Sequence, residues 1–196
     1  MNKMANSGSS PVPAARFQWD GWFFGLVIFS LGLRILLARQ GGQLYFADES
    51  RFNAPVDAMV ALRNGNLDEC RRLIFSTADH LGFKLVMTIP GWTYVNWGWS
   101  LPVMAMLSSG IFSAANIAWV YALARRVGAG MEEARWAALL MAGSTSMFYW
   151  ARHLMPYDMA LCLGLACLFV SIHPAPRWYH SLLAGALGFC TFVTYL

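Results

Sequence analysis

Charge is what this sequence has least of. Only 12% of its 196 residues are Asp, Glu, Lys or Arg, where a soluble domain carries about 25%. Hydrophobic residues reach 58%, and mean hydropathy is +0.46. That balance excludes a disordered chain, a coiled coil and an ordinary cytosolic enzyme. Cysteine supplies no framework. Cys162, Cys167 and Cys190 lie in apolar runs, where Cys acts as a small hydrophobe, Cys70 stands alone, and no C-x-x-C spacing occurs. A nucleotide-binding glycine loop is also missing, because Gly128-Ala129-Gly130 lacks the surrounding pattern. The net charge of +4 comes from basic residues scattered at the ends of apolar runs. Such placement orients a membrane protein and is not a nucleic-acid footprint.

Long apolar runs are what the sequence has instead. Residues 1–20 are small and polar with two prolines, and read as a flexible cytoplasmic tail. The run 21–38 would be about 27 Å long as a helix, enough to cross roughly 30 Å of hydrocarbon. Arg39-Gln40 follow where a signal peptidase needs small residues, so the run is expected to be a retained span. A polar loop over 40–100 comes next. Phe52, Val56, Met59 and Val60 recur there at helical spacing, and Asn64-Gly65 gives a stop, which predicts a short amphipathic helix. Residues 81–99 are apolar and aromatic but broken by Pro90-Gly91 and Gly98, which predicts an interfacial or re-entrant segment. Trp92, Tyr94, Trp97 and Trp99 suit a headgroup belt.

Four further runs, 101–123, 134–150, 157–172 and 178–196, bring the expected total to five spans. Arg125, Arg126 and Arg135 flank one loop and Arg177 precedes the last run, while Arg152 alone sits in the connection between the third and fourth. This asymmetry places the tail inside and the loop 40–100 outside. Leu196 ends the sequence within an apolar run, which would leave carbonyls near hydrocarbon. The expectation is therefore an all-α, polytopic transmembrane domain over 21–196, incomplete at its C-terminus.

The residues able to carry chemistry gather on the outer side. Asp48-Glu49-Ser50-Arg51 follows the first span. A carboxylate there can act as general base on an acceptor, and Arg51, one helical turn from Asp48, can bind a phosphate bidentately. The same acids would also suit the first turn of a helix. Asp79-His80 and Lys84 close the loop: His80 can orient groups or relay protons, and Lys84 can hold a phosphate or simply snorkel. Arg152-His153 and Tyr157-Asp158 are expected to face the same compartment. Asp158 follows Pro156, so it also suits a helix start. Arg34 lies inside the first span, where a charge either snorkels or serves function.

This order of features resembles the polytopic glycosyltransferases of the C-type fold, closest to the protein O-mannosyltransferase and lipid A aminoarabinose transferase group, glycosyltransferase family 39. One span, an outer Asp-Glu-x-Arg, an amphipathic stretch, a His-x-x-x-Lys segment and the piece Tyr149-Trp150-Ala151-Arg152-His153-Leu154-Met155-Pro156-Tyr157-Asp158 carry the resemblance, over about residues 20–196. It implies Asp48 as catalytic base with Glu49 beside it, and Arg51 on the carrier phosphate. It implies His80 and Lys84 at the end of the loop, although Leu81 and Gly82 stand where the family usually has prolines. Arg152 and Asp158 would complete the substrate site. The implied donor is a sugar on a polyprenyl phosphate, and the acceptor a lipid, glycan or protein. Phosphate would leave as Asp48 deprotonates the acceptor, with inversion at the anomeric carbon. The resemblance predicts no nucleotide cofactor, leaves a divalent cation open, and places the enzyme in a plasma membrane, the bacterial inner membrane. Two other readings compete: a membrane transporter subunit, which would line a path with intramembrane charges, and a non-catalytic scaffold, in which Asp48 and Glu49 are replaceable.

Overall fold

The computed structural model describes residues 21–42, 53–77, 79–144, 149–150 and 152–195, and among these every regular element is helical. Helix α1, Gly21–Arg39, is apolar enough that both of its faces tolerate hydrocarbon. Its inward stripe is Phe23, Ser30, Arg34 and Ala38, at helical spacing. Phe24, Ile28, Phe29 and Leu36 on the other side are 50–70% exposed. Helix α5 spans Leu101–Arg126. It opens on Pro102 in its first turn, widens into a π-helical segment over Met106–Gly110, and resumes as α-helix over Ile111–Arg126. Helices α6 (Met131–Ala142), α7 (Tyr157–Ser171) and α8 (Trp178–Tyr195) complete the bundle.

Helix α5 is the centre. It contacts α1, α6 and α7, and α8 lies along α7. Ala134, Ala138 and Ala142 put small side chains on one face of α6, so its backbone comes close to Ile117 and Tyr121 of α5 and to Phe23 of α1. An outer layer is formed by α2 (Ala54–Arg63), α3 (Leu67–Phe75) and α4 (Leu81–Trp97). Asn66 caps α3 by accepting from the Glu69 N–H at 3.0 Å. Phe83 and Met87 of α4, both fully buried, pack on Met104, Leu154, Met155 and Met159.

The helix spacing behind residue 52 is present as α2, which buries Ala58 and Met59 against Ile74 of α3. Three expectations need correction. Residues 81–97 form one continuous helix. Pro90 and Gly91 are buried inside it, and Gly91 faces the Pro55 and Val56 backbone, where a Cβ would stand 3.3 Å from the Pro55 carbonyl oxygen. Close packing thus holds a helix through a residue that forgoes a backbone hydrogen bond. The run 134–150 is not one helix: α6 starts earlier, at Met131, where Glu133 accepts from the Gly130 N–H, and stops at Gly143. The run 101–123 extends to Arg126.

Two helices, α1 and α5, are long and apolar enough to cross a membrane. Helix α7 is apolar over 15 residues, about 22 Å. Helix α6 has 12 residues, about 18 Å.

The bundle has two chemically distinct ends. At one lie the end of α1, the starts of α4, α5 and α7, and the end of α8, where a Cβ on Gly82 would meet Thr194. At the other lie Trp22 under the Arg135 guanidinium, Arg125 and Arg126, and the turn between α7 and α8.

Candidate functional site

The first end concentrates buried polar groups. Arg34 is fully buried although its helix is otherwise a good membrane span. Its Nε donates to Ser113 Oγ at 2.8 Å and its Nη1 to the Ser30 carbonyl at 3.1 Å and to Ser30 Oγ. The π-helical segment of α5 supplies the next layer. The Met106 side chain lies over Gly110 where the turn widens, in the space a Cβ there would take. Ser109 Oγ donates to the His153 carbonyl at 2.8 Å, and Asn116 Nδ2 donates to the Asp158 carbonyl at 3.1 Å. Together these bonds tie the connection 152–158 to α5.

Asp158 occupies the first turn of α7 and is 1% exposed. Neither carboxylate oxygen has a hydrogen-bond partner among the described residues. Its charge and that of Arg34 attract one another across the interior. His153 is fully buried, with its ring against Tyr149 at 5.0 Å between centroids. His153 and Asp158, expected to face the outer compartment, are both buried in the bundle, and Ser109 and Asn116 supply donors to their backbone carbonyls. Arg152 stays partly exposed, and its guanidinium covers Gly42: a Cβ there would sit 3.3 Å from Arg152 Cζ. Gly42 also has φ +100°, which favours glycine.

The start of α4 forms the facing wall. His80 has φ +52°, an uncommon left-handed conformation for a side-chain-bearing residue. Its Nδ1–H donates to the Thr194 carbonyl at 3.2 Å, which ties the turn to the end of α8. Lys84 is 4% exposed, and its Nζ donates to the Thr77 carbonyl at 3.3 Å and to Thr77 Oγ1 at 2.5 Å. Burial pushes its ammonium below the usual lysine range, and the negative charge of Asp79 opposes that shift.

The structure therefore sets Arg152 over Gly42, lets Arg34 and Asp158 act on one another across the interior, and ties His80 to Thr194 and Lys84 to Thr77. The shared core of Phe83, Met87, Leu154 and Met155 joins α4 to the 152–158 connection. Asp48, Glu49 and Arg51 lie outside the described residues, between Gly42 at the end of α1 and Asn53 at the start of α2. Among the described residues no three His, Cys, Asp or Glu side chains cluster as a metal site requires. Beside this end, α1 and α5 enclose a groove of about 360 Å³, lined by Ile35, Ala38, Pro102, Val103, Met106 and Leu107 with Arg39 and Ser100 also in its wall. Sequence reasoning passed over Ser109, Ser113 and Asn116. Their spacing of four and three residues was the available signal, a polar stripe along one face of an apolar helix.

No family model matches the chain, no curated protein matches it, and no solved structure matches it.

Proposed function

We propose that the chain is the membrane-embedded part of a C-type glycosyltransferase, similar to glycosyltransferase family 39, that transfers a sugar from a polyprenyl-phosphate donor to a lipid, glycan or protein acceptor at the outer face of a plasma membrane. In this reading α1, α5, α6, α7 and α8 all cross the bilayer, with the shorter helices completed by thinning or by flanking residues. Exposed Phe24, Ile28, Phe29, Leu182, Phe189 and Phe192 face lipid, which removes the large apolar surface a water-soluble protein would have to hide. Asp48 acts as the base on the acceptor, with Glu49 adjacent. Arg51, Lys84 and Arg152 neutralise the leaving phosphate, and His80 and Asp158 position the loops around it. The groove between α1 and α5 receives apolar carbon of the donor.

One observation supports the reading most. Arg152 sits directly over Gly42, one residue before the segment that carries Asp48, Glu49 and Arg51. The 152–158 connection therefore lies against the residue from which the chain enters that segment, and this supports a shared site. The test compares the native-length protein in membranes with its Asp48→Asn variant, using a labelled polyprenyl-phosphate sugar pool. Asparagine keeps the shape and removes the base. Transfer by the parent and its loss in an inserted, folded variant is the expected outcome. Equal transfer by both would remove Asp48 from the mechanism, and transfer by neither across a broad donor panel would favour transport or a scaffold.

A further inference from the structure

The end of the bundle opposite this site carries a second built feature. Arg126 closes α5 with its guanidinium 3.7 Å above the Phe169 ring of α7, and its Nη1 lies 3.4 Å from the Phe169 carbonyl. The turn from α7 to α8 brings His173 and His180 face to face, with centroids 4.0 Å apart and planes 20° from parallel. Desolvation in the first place holds the His180 ring below the usual imidazole range, and Arg126 and Arg177 both act on it electrostatically. His180 Nδ1 accepts from the Arg177 N–H at 2.9 Å, so the proton of its neutral ring sits on Nε2 as a donor. His173 Nδ1 lies 3.0 Å from the Ala175 carbonyl and 3.2 Å from the Ala175 nitrogen, which turns that edge toward its own turn as well.

No carboxylate balances this cluster. Among the described residues neither Arg126 nor Arg177 has an acidic partner within ion-pair distance. The acids at this end are engaged elsewhere: Glu132 pairs with Arg135, and Glu133 accepts from Gly130. Trp178, 78% exposed, and Tyr179, 42% exposed, stand beside the cluster on the first turn of α8. Amphipathic rings of this kind sit at headgroup level. Cations, the Nε2 donor of His180 and a rim of Trp and Tyr match the phosphate and glycerol region of an acidic phospholipid.

We propose that Arg126, Arg177, His173 and His180 form a binding site for the headgroup phosphate of an acidic phospholipid in the inner leaflet. The proposal rests on the membrane placement above and not on the transfer chemistry. Cytoplasmic leaflets carry such lipids, and cations between helices at that level retain them.

The test uses the full-length protein purified in a neutral detergent. Phosphatidylglycerol, phosphatidylcholine or inorganic phosphate is added, and bound lipid is read by native mass spectrometry and by the thermal unfolding midpoint. The expected result is retention of phosphatidylglycerol over phosphatidylcholine, weakened about fivefold by Arg177→Gln and further by Arg126→Gln. Arg177 is exposed, and among the described residues its guanidinium has no hydrogen bond or ion pair, so its replacement leaves the fold intact even where Arg126→Gln does not. Arg125→Gln removes the same charge outside the cluster and should leave binding unchanged. Equal retention of both lipids, equal stabilisation by inorganic phosphate, or equal weakening by Arg125→Gln would overturn the proposal. Lipid retention is measured without sugar transfer and with Asp48 intact, so its failure and that of the enzymatic reading are separate results.

Discussion

Arg34 and Asp158 should behave as one buried unit, and a double-mutant cycle measures it. Arg34→Met removes the guanidinium and strands a carboxylate that is 1% exposed and has no hydrogen-bond partner among the described residues. Among the described residues no ion pair joins the two, so the guanidinium acts on the carboxylate only across the interior, and its loss should cost about 1–3 kcal/mol. For a chain of 196 residues that corresponds to a fall of roughly 2–12 °C in the unfolding midpoint. Asp158→Asn should cost less, about 1 kcal/mol, because Arg34 keeps the Ser30 and Ser113 oxygens as acceptors. The double variant removes both charges, so its loss should fall short of the sum by about 1 kcal/mol. The assay is thermal unfolding in detergent, followed by emission from the nine tryptophans at fixed pH. Additivity within about 0.5 kcal/mol would refute the reasoning. The two charges would then be held by their own helices and not by each other.

Two further outcomes test the wall made by α4. Gly82→Ala places a methyl 2.6 Å from Thr194 Oγ1 and 3.1 Å from the Thr194 backbone nitrogen, so it should lower stability by about 1–3 kcal/mol. Adding Thr194→Ala should restore only part of that loss, and a neutral Gly82→Ala would show that α4 and α8 do not meet there. Lys84 gives a pH signature: its folded-state pKa lies below the ordinary value of 10.5, so between the two the unfolded chain holds the extra proton. Stability should therefore rise with pH through that window, and Lys84→Met should flatten the rise. Denaturation midpoints measured from pH 7.5 upward for both proteins would sink the argument if the two slopes matched.

The apolar runs made most helix boundaries legible. The expected 157–172 and 178–196 correspond to α7 and α8 within one residue at each end. What stayed hidden depends on neighbours far away in sequence. Pro90 reads locally as an interruption, and only the Pro55 and Val56 backbone lying against Gly91 shows why the helix continues. The stop at Gly143 was written in a Gly-Ser-Thr-Ser stretch, but the apolar average of 134–150 concealed it. Serine and asparagine are similarly lost in a mean hydropathy. The stripe Ser109, Ser113 and Asn116 sits inside a run that averages as membrane helix, yet it carries the bonds that fix Arg34 and the 152–158 connection. The identities of Arg152 and Asp158 as candidates were legible, whereas the inward aim of Asp158 and its link to Arg34 required the fold.

Arg34 is the residue that stability alone explains least. An apolar side chain at that position would ease insertion of α1 and avoid desolvating a guanidinium, and well-packed apolar replacements of buried charge pairs are often neutral or better. Its partners indicate a different reason for a cation there. Ser113 holds one side of it, and Asp158, the last residue of the connection that also carries Arg152, answers it electrostatically. Arg152 in turn lies over Gly42, where α1 hands the chain to the loop bearing Asp48. The attraction between Arg34 and Asp158 acts across the interior without an ion pair among the described residues, so it biases the start of α7 toward the side of α1 that carries Arg34. In the proposed transfer the same bias helps keep Arg152 and the chain beyond Gly42 in register.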